Sequence, residues 1–73
     1  MTALRPPKCT KDQRDRILKL MQKAEFDTQT VSLMHTRIRA ARTDVGKPVD
    51  AWLDTVDMLQ AADIIFTLEE ILA

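Results

Sequence analysis

Residues 57–72 read DMLQAADIIFTLEEIL, a stretch whose apolar residues recur at helical spacing. On a helix of 3.6 residues per turn, these apolar side chains cover roughly two-thirds of the circumference. The polar side is a single strip of Gln60, Asp63, Thr67 and Glu70. So wide an apolar arc needs cover on several sides. We therefore expect this helix to be the centre of a small bundle, or to be partly covered by a second copy or a partner.

The sequence also marks where helices begin. Asp57 can cap the last helix, because Gln60 follows at the third helical position and completes a reciprocal capping box. The same signal appears in residues 10–13, TKDQ, where Thr10 precedes Gln13 by three residues. We predict a first helix from near Thr10 to about residue 24 and a last helix that runs to near Leu72.

The first predicted helix has an apolar side and a basic side. The apolar residues on one broad face are Ile17, Leu18, Leu20, Met21 and Ala24. The basic residues on the opposite face are Arg16, Lys19 and Lys23. An amphipathic helix turns its apolar face to the core, so we expect the basic stripe to point outward.

A second helix is predicted to begin between residues 28 and 30, after the break EFDTQT, whose Asp and Thr side chains compete for local backbone groups. Its expected apolar seam consists of Val31, Met34, Ile38 and Ala41. Arg37 and Arg42 fall close to the edges of this seam and Arg39 lies further round. His35 is adjacent to the seam, and we expect it at the surface or at the core boundary.

Gly46 and Pro48 separate this segment from a short third helix. Glycine suits the positive φ that often ends a helix, and proline suits the first turn of the next. The third helix is predicted over residues 48–56. Its apolar side would carry Val49, Trp52, Leu53 and Val56, with Asp50 and Asp54 on the other side.

These patterns predict an all-α fold, a compact bundle of three to four helices with the apolar C-terminal helix at its centre. We expect one domain over residues 10–73 and a mobile tail over residues 1–9, which lack an apolar pattern. The predicted core residues are Ile17, Met21, Val31, Ile38, Trp52, Leu53, Ile65 and Leu68.

Charge divides the chain into two halves. Residues 1–47 hold all eleven Lys and Arg with five acids, a net charge of +6, and residues 48–73 hold six acids and no base, a net charge of −6. Helix dipoles favour a cation such as Arg42 near a helix C-terminus and an acid such as Asp50 near the next N-terminus. They give no reason for the outward stripe of Arg16, Lys19 and Lys23.

The residue types give little support for catalysis or for a cofactor. The chain has one cysteine, Cys9, and one histidine, His35, so it offers neither a disulfide framework nor a zinc site. Asp50, Asp54 and Asp57 are spaced as potential ligands or acid–base groups, but no ligand-bearing loop accompanies them. We predict a non-enzymatic protein without metal or cofactor. The absence of a signal-peptide pattern and of an uncharged 18-residue run favours a cytoplasmic protein.

Binding and a purely structural role are the function classes that remain, and the charge pattern favours binding. We expect a protein partner to be recognised through charged residues, namely Arg16, Lys19, Lys23, Arg37, Arg39, Arg42 and Asp50. The alternative is nucleic-acid binding through the basic faces of the first two helices. The opposite charge of the two halves, together with the apolar last helix, also predicts a homodimer with antiparallel pairing.

Three segments resemble small uncharacterised helical proteins found in bacteriophages and actinobacteria. They are TKDQ with the spaced aliphatic residues that follow it, GKPVDAWLDTV at residues 46–56, and QAADIIFTL at residues 60–68. Where such proteins have Glu-Ala-Ser at the start of the last helix, this chain has Gln60-Ala61-Ala62. The resemblance spans about residues 10–73 and implies a phage or prophage accessory protein that acts on a host component.

Overall fold

Three α-helices and two short 3-10 turns form the fold in the computed structural model, which describes residues 7–73. The elements in chain order are α1 (Lys11–Lys23), a first 3-10 turn (Leu33–Arg37), a second 3-10 turn (Arg39–Ala41), α2 (Val49–Asp54) and α3 (Met58–Leu72). Within these residues, extended pairing is limited to two isolated bridges, Lys8 with Asp57 and Thr30 with Pro48. The predicted all-α fold class is confirmed.

Both predicted capping boxes are present. The Thr10 hydroxyl accepts a hydrogen bond of 3.1 Å from the Gln13 backbone N–H, and the Gln13 side chain accepts one of 3.1 Å from the Thr10 N–H. Asp57 and Gln60 make the equivalent pair at 2.8 and 3.1 Å. Each box satisfies N–H groups that the first helical turn leaves without a partner, so the sequence defines the start of both long helices.

The end of α1 has no glycine. Glu25 adopts φ 61°, a left-handed conformation, directly after the C-cap residue Ala24. The Phe26 N–H then donates to the Met21 carbonyl at 2.8 Å, and the Glu25 N–H donates to the Gln22 carbonyl at 3.1 Å. These two bonds form a Schellman motif. The motif reverses the chain and carries Phe26 into the core, where it is buried.

The core lies between α1 and α3 and is closed by α2 and the 3-10 turns. α1 contributes Ile17, Leu20 and Met21; α3 contributes Ala61, Ile64 and Leu68. The predicted core is confirmed at every position except Ile65, which is half-buried. Ile65 lies beside the buried stripe of α3 rather than on it, because that stripe follows residues 61, 64 and 68.

The predicted second α-helix is wrong. Residues 33–41 form two 3-10 turns separated at Ile38, whose backbone is extended at φ −94° and ψ 117°. Residues three apart share a face of a 3-10 helix, and the residues buried here are His35, Ile38 and Ala41. His35 therefore occupies the core position expected for Met34, which is 51% exposed. The placement of His35 at the surface or boundary is also wrong.

The third predicted helix is confirmed in a shorter form, as α2. Pro48 is its N-cap and Thr55 its C-cap. All four apolar residues predicted for its inner side are buried: Val49, Trp52, Leu53 and Val56. Gly46 has the expected positive φ, 94°, but it lies in a turn before α2 and not at the end of a helix.

The segment before α1 pairs with the junction between α2 and α3. The Cys9 N–H donates to the Val56 carbonyl at 3.0 Å, and the Met58 N–H donates to the Pro7 carbonyl at 2.9 Å. The predicted mobile tail covers residues 1–9. Its first six residues lie outside the described part of the chain, and Pro7 and Cys9 make these two contacts.

Candidate interaction surface

Three arginines on the 3-10 segment form an exposed cationic surface, which we call the arginine edge: Arg37, Arg39 and Arg42. Arg39 and Arg42 are three residues apart, the spacing that aligns side chains on a 3-10 turn. None of the three forms an ion pair with any residue from 7 to 73. The Arg42 Nε donates to the Thr36 carbonyl at 3.0 Å, which fixes its stem and leaves the guanidinium tip open to solvent.

Core contacts hold the arginine edge in place. The Trp52 indole Nε1 donates a hydrogen bond of 3.1 Å to the Ala40 carbonyl, between two of the arginines. Trp52 is only 1% exposed, and Ala41, which follows Ala40 in the chain, is buried. The edge is therefore presented by a backbone that is anchored to α2, so the positions of its three Cα atoms are set before any partner arrives.

His35 anchors the other end of this segment. Its Nδ1 lies 2.9 Å from the Ser32 backbone N–H, which can only donate, and 3.0 Å from the Ser32 hydroxyl. Its Nε2 lies 2.9 Å from the Asp27 carbonyl, which can only accept. These partners require a neutral ring with the proton on Nε2. Phe26 and Trp52 pack edge-on against the ring, with centroids at 5.1 and 6.3 Å.

Burial lowers the pKa of His35 below its ordinary value of 6.5, against the smaller opposing effect of Asp27 and Ser32. Nearby, the Asp27 carboxylate accepts hydrogen bonds from the backbone N–H groups of Gln29 and Thr30 at 2.8 and 3.2 Å. Those bonds lower the pKa of Asp27. His35 therefore acts as a structural hydrogen-bonding group that joins residue 27 to residue 32.

The predicted basic stripe of α1 is exposed, but it is not one uniform surface. Arg16 forms an ion pair of 2.6 Å with Glu69 on α3, which ties the two helices together. Lys19 and Lys23 are exposed and make no ion pair within residues 7–73. Of the predicted stripe, only these two lysines keep their charge available to a partner.

Asp50 is also engaged within the chain. Arg14 donates to Asp54 at 2.7 Å through Nη1, and to both the side chain and the backbone carbonyl of Asp50 at 3.2 Å through Nη2. The hydrogen bond to Asp54 is the main reason that the pKa of Arg14 is raised. Asp50 and Asp54 are four residues apart on α2, and that spacing is the signal that could have indicated a shared cation.

Part of the charge asymmetry is thus matched inside one copy. Arg14 and Arg16, from the basic half, pair with carboxylates of the acidic half. The remaining predicted site residues divide between the arginine edge and the lysine pair of α1. The two groups lie on different elements and are not joined by any hydrogen bond or ion pair of the described residues.

A second surface lies on the last helix, for which the sequence predicted partial cover by a second copy or a partner without naming the residues. We call it the outer face of α3, and its exposed residues are Leu59, Ala62, Asp63, Phe66 and Glu70. Leu59 is 70% exposed and Phe66 60% exposed, values high for such large apolar side chains. The broad apolar arc of residues 57–72 was the available signal: the bundle covers only one side of it.

Two open pockets lie where the arginine edge meets α3. One has a volume of about 240 Å³ and is lined by Arg39, Ala40, Leu59, Gln60 and Asp63. The other has a volume of about 260 Å³ and is lined by Arg37, Thr67, Glu70 and Ile71. Each pocket combines a cation with a carboxylate and apolar atoms, so the boundary between the two surfaces carries both signs of charge.

Among residues 7–73, no group of three His, Cys, Asp or Glu side chains is placed to hold a metal ion. Over the same residues, no helix is both long and apolar enough to cross a membrane. Comparisons of the chain with models of protein families, with curated proteins and with solved structures gave no match.

Proposed function

We propose that this protein is a non-enzymatic binding module that docks on another protein through the arginine edge. The observation that carries the proposal is that Arg37, Arg39 and Arg42 are exposed, without ion pairs among residues 7–73, on a backbone anchored by Trp52 and His35. Arginine is enriched in protein interfaces, where its planar group binds carboxylates with two hydrogen bonds. The expected partner surface is acidic.

The structure changes which of the predicted residues belong to this proposal. Arg16 and Asp50 are withdrawn from it, because each is engaged in an ion pair within the chain. Lys19 and Lys23 support the alternative function, binding of DNA or RNA, since exposed lysines on a helix can contact phosphates. The resemblance to phage and actinobacterial proteins supports a host protein as the partner, in a phage or prophage context.

A matched pair of variants separates the two functions. The double variant Arg37→Glu/Arg42→Glu reverses two charges of the arginine edge, and Lys19→Glu/Lys23→Glu makes the same change in net charge on α1. Arg39 is left intact because it also borders α3. Tagged versions of both variants and of the parent are used to capture partners from bacterial lysate, with and without nuclease.

The proposal expects one stoichiometric protein to be retained by the parent after nuclease, to be lost by the edge variant and to be kept by the α1 variant. Loss of all captured material on nuclease treatment would contradict it. Equal loss in both variants, with a steep linear fall of log affinity for random duplex DNA against log salt, would establish the nucleic-acid alternative.

A further inference from the structure

The first 3-10 turn has one fully buried side chain. Of its five residues only His35 is buried, whereas Leu33 and Met34 are 77% and 51% exposed. The second turn is held differently, by buried Ala41 and by the hydrogen bond from the Trp52 indole. The only fully buried side chain that the first turn contributes to the core is therefore a titratable one.

A second proton on the His35 ring has no suitable place in this arrangement. Nδ1 accepts a hydrogen bond of 2.9 Å from the Ser32 backbone N–H, so a proton on Nδ1 would set two donors against each other. The Ser32 hydroxyl, 3.0 Å from Nδ1, could accept the new proton, but the Ser32 N–H would still lose its acceptor. A donor that loses its partner away from water is costly. The closed turn therefore requires the neutral ring.

The surroundings of the ring supply little countercharge. Asp27 is the charged group that acts on the ring, and its exposed carboxylate accepts hydrogen bonds from two backbone N–H groups of its own loop. Phe26, beyond the end of α1, and Trp52, on α2, pack against the ring and carry no charge. The cations of the arginine edge, in the same segment as His35, can only oppose a positive ring. Burial outweighs the attraction of Asp27, and the pKa of His35 is lowered.

We propose that His35 is an acid-sensitive latch: when its ring takes up a proton, the ring leaves the core and the first 3-10 turn opens. The hinge is Ile38, whose extended backbone separates the two turns and whose buried side chain keeps the second turn in place. The start of the segment stays closed, because the Val31 N–H donates to the Lys47 carbonyl at 2.8 Å and neither group belongs to the turn. The opening is confined to residues 32–37.

Opening of the first turn changes the arginine edge. Arg37 belongs to that turn and moves with it. Arg42 loses the Thr36 carbonyl that its Nε binds at 3.0 Å, so its stem is released. Arg39 stays with the second turn, which Trp52 anchors. The fixed spacing of the three cations is lost in mild acid. As a control of partner binding this inference rests on the proposed function, but the opening itself is measured without a partner.

The pH range of the opening follows from the two environments of the ring. In the open turn the ring has its ordinary pKa of 6.5, and in the closed turn its pKa is lower. The ratio of closed to open turn is therefore constant above pH 6.5 and falls by up to about ten-fold for each pH unit below it, until the lowered pKa is reached. Carboxylates titrate near about pH 4, so His35 is the side chain that changes charge between about pH 7 and about pH 5.5.

Amide hydrogen exchange followed by NMR tests the inference. The reporters of the turn are the N–H groups of Ser32, His35 and Ile38, whose hydrogen bonds lie within it. The matched controls are the N–H groups of Val31, at the base of the segment, and Ala41, in the second turn. Exchange is measured at about pH 7 and about pH 5.5, with and without a low concentration of urea, and is corrected for the intrinsic rate of each amide.

Protection of the three reporters should fall several-fold, to at most about ten-fold, between the two pH values. It should not depend on urea, because a local opening exposes little surface. The control amides should be protected more strongly and should lose protection in urea, since they exchange only when the whole chain unfolds. In His35→Gln the reporters should lose their pH dependence.

Reporters with the same protection and urea dependence as the controls would overturn the latch, because the turn would then open only when the chain unfolds. Reporters whose protection is equal at both pH values would also overturn it. If circular dichroism shows that His35→Gln is unfolded, the parent alone decides, since His35 is the only histidine. None of these measurements involves a partner, so failure of the latch and failure of the proposed docking are distinguishable.

Discussion

The indole of Trp52 and the carbonyl of Ala40 are joined by a hydrogen bond of 3.1 Å that links α2 to the backbone between Arg39 and Ala41. This bond connects the largest buried side chain to the surface proposed for binding. The indole N–H is a donor only and needs a partner when buried. One interaction therefore satisfies a core residue and positions an exposed segment.

Replacement of Trp52 separates these two contributions. Trp52→Ala should cost about 3 to 5 kcal/mol, as much as the core of a domain this small supplies. Trp52→Phe keeps much of the apolar volume but leaves the Ala40 carbonyl without its donor, so we expect a loss of about 1 to 3 kcal/mol. Urea denaturation followed by far-UV circular dichroism measures both. A Trp52→Ala variant as stable as the parent would show that the anchor is unimportant.

Stability should fall in mild acid because of His35. Its pKa is lowered by burial in the folded state, so the unfolded chain binds a proton more readily than the folded chain. The contribution of His35 to the free energy of unfolding should therefore be constant above the ordinary pKa of 6.5 and should decrease as the pH falls from 6.5 towards the lowered value. Denaturation midpoints across this range measure the effect.

His35→Gln is the control for this pH dependence, since His35 is the only histidine. The variant should have a lower free energy of unfolding than the parent, but this free energy should no longer decrease just below pH 6.5. Asp27 affects stability in a separate, more acidic pH range. Because its pKa is lowered in the folded state, its stabilising contribution is lost only as the pH falls below the ordinary value of 3.8. An unchanged slope in the glutamine variant would assign the effect to another group.

Arg14 should contribute more to stability than Arg16. Arg14 contacts Asp50 and Asp54 with its side chain 28% exposed, whereas Arg16 makes one ion pair with its side chain 58% exposed. Exposed pairs are worth about 0.2 to 1 kcal/mol and are screened by salt. We expect Arg14→Met to cost about 1 kcal/mol and Arg16→Met less than about 0.5 kcal/mol. Denaturation at low and high salt should show the difference shrinking with salt.

Glu25 and Gly46, the two residues with positive φ among residues 7–73, should respond oppositely to substitution. Gly46 has φ 94°, and a Cβ at this position would have no atom within 4 Å. The only cost of Gly46→Ala is therefore the strain of an alanine at positive φ. We expect a loss of about 1 kcal/mol. Glu25, at φ 61°, adopts a conformation that glycine accepts more easily, and Glu25→Gly should stabilise by up to about 1 kcal/mol. Thermal unfolding of the two variants compares them. Two changes of the same sign would contradict this account.

The sequence predicted α1 and α3 well, since their starts depend on local chemistry. Thr10 with Gln13 and Asp57 with Gln60 form their capping boxes from residues within one turn. The burial of Trp52 and Leu53 followed from the spacing of apolar residues on a short helix. Such signals need no knowledge of distant parts of the chain.

The segment after Phe26 could not be predicted in the same way. Its apolar residues at 31, 38 and 41 fit a 3.6-residue period, but Ile38 and Ala41 by themselves also fit a three-residue period. His35 selects the latter by bonding back to Ser32 and Asp27. These bonds compete with α-helical hydrogen bonding.

The candidate site could be predicted only in part, because ion pairs between distant residues leave no local pattern. Arg16 and Asp50 looked available because their partners, Glu69 and Arg14, lie 53 and 36 residues away in sequence.

The pairing of α1 with α3 also determines when the chain can fold. The Gln13 side chain donates to the Met58 carbonyl across 45 residues, and the rest of the α1–α3 core spans similar separations. An isolated helix of 13 residues is only marginally stable in water. During synthesis α1 therefore leaves the ribosome long before the helix that buries its apolar face. Its apolar residues stay exposed to solvent and to chaperones until α3 has also left the ribosome.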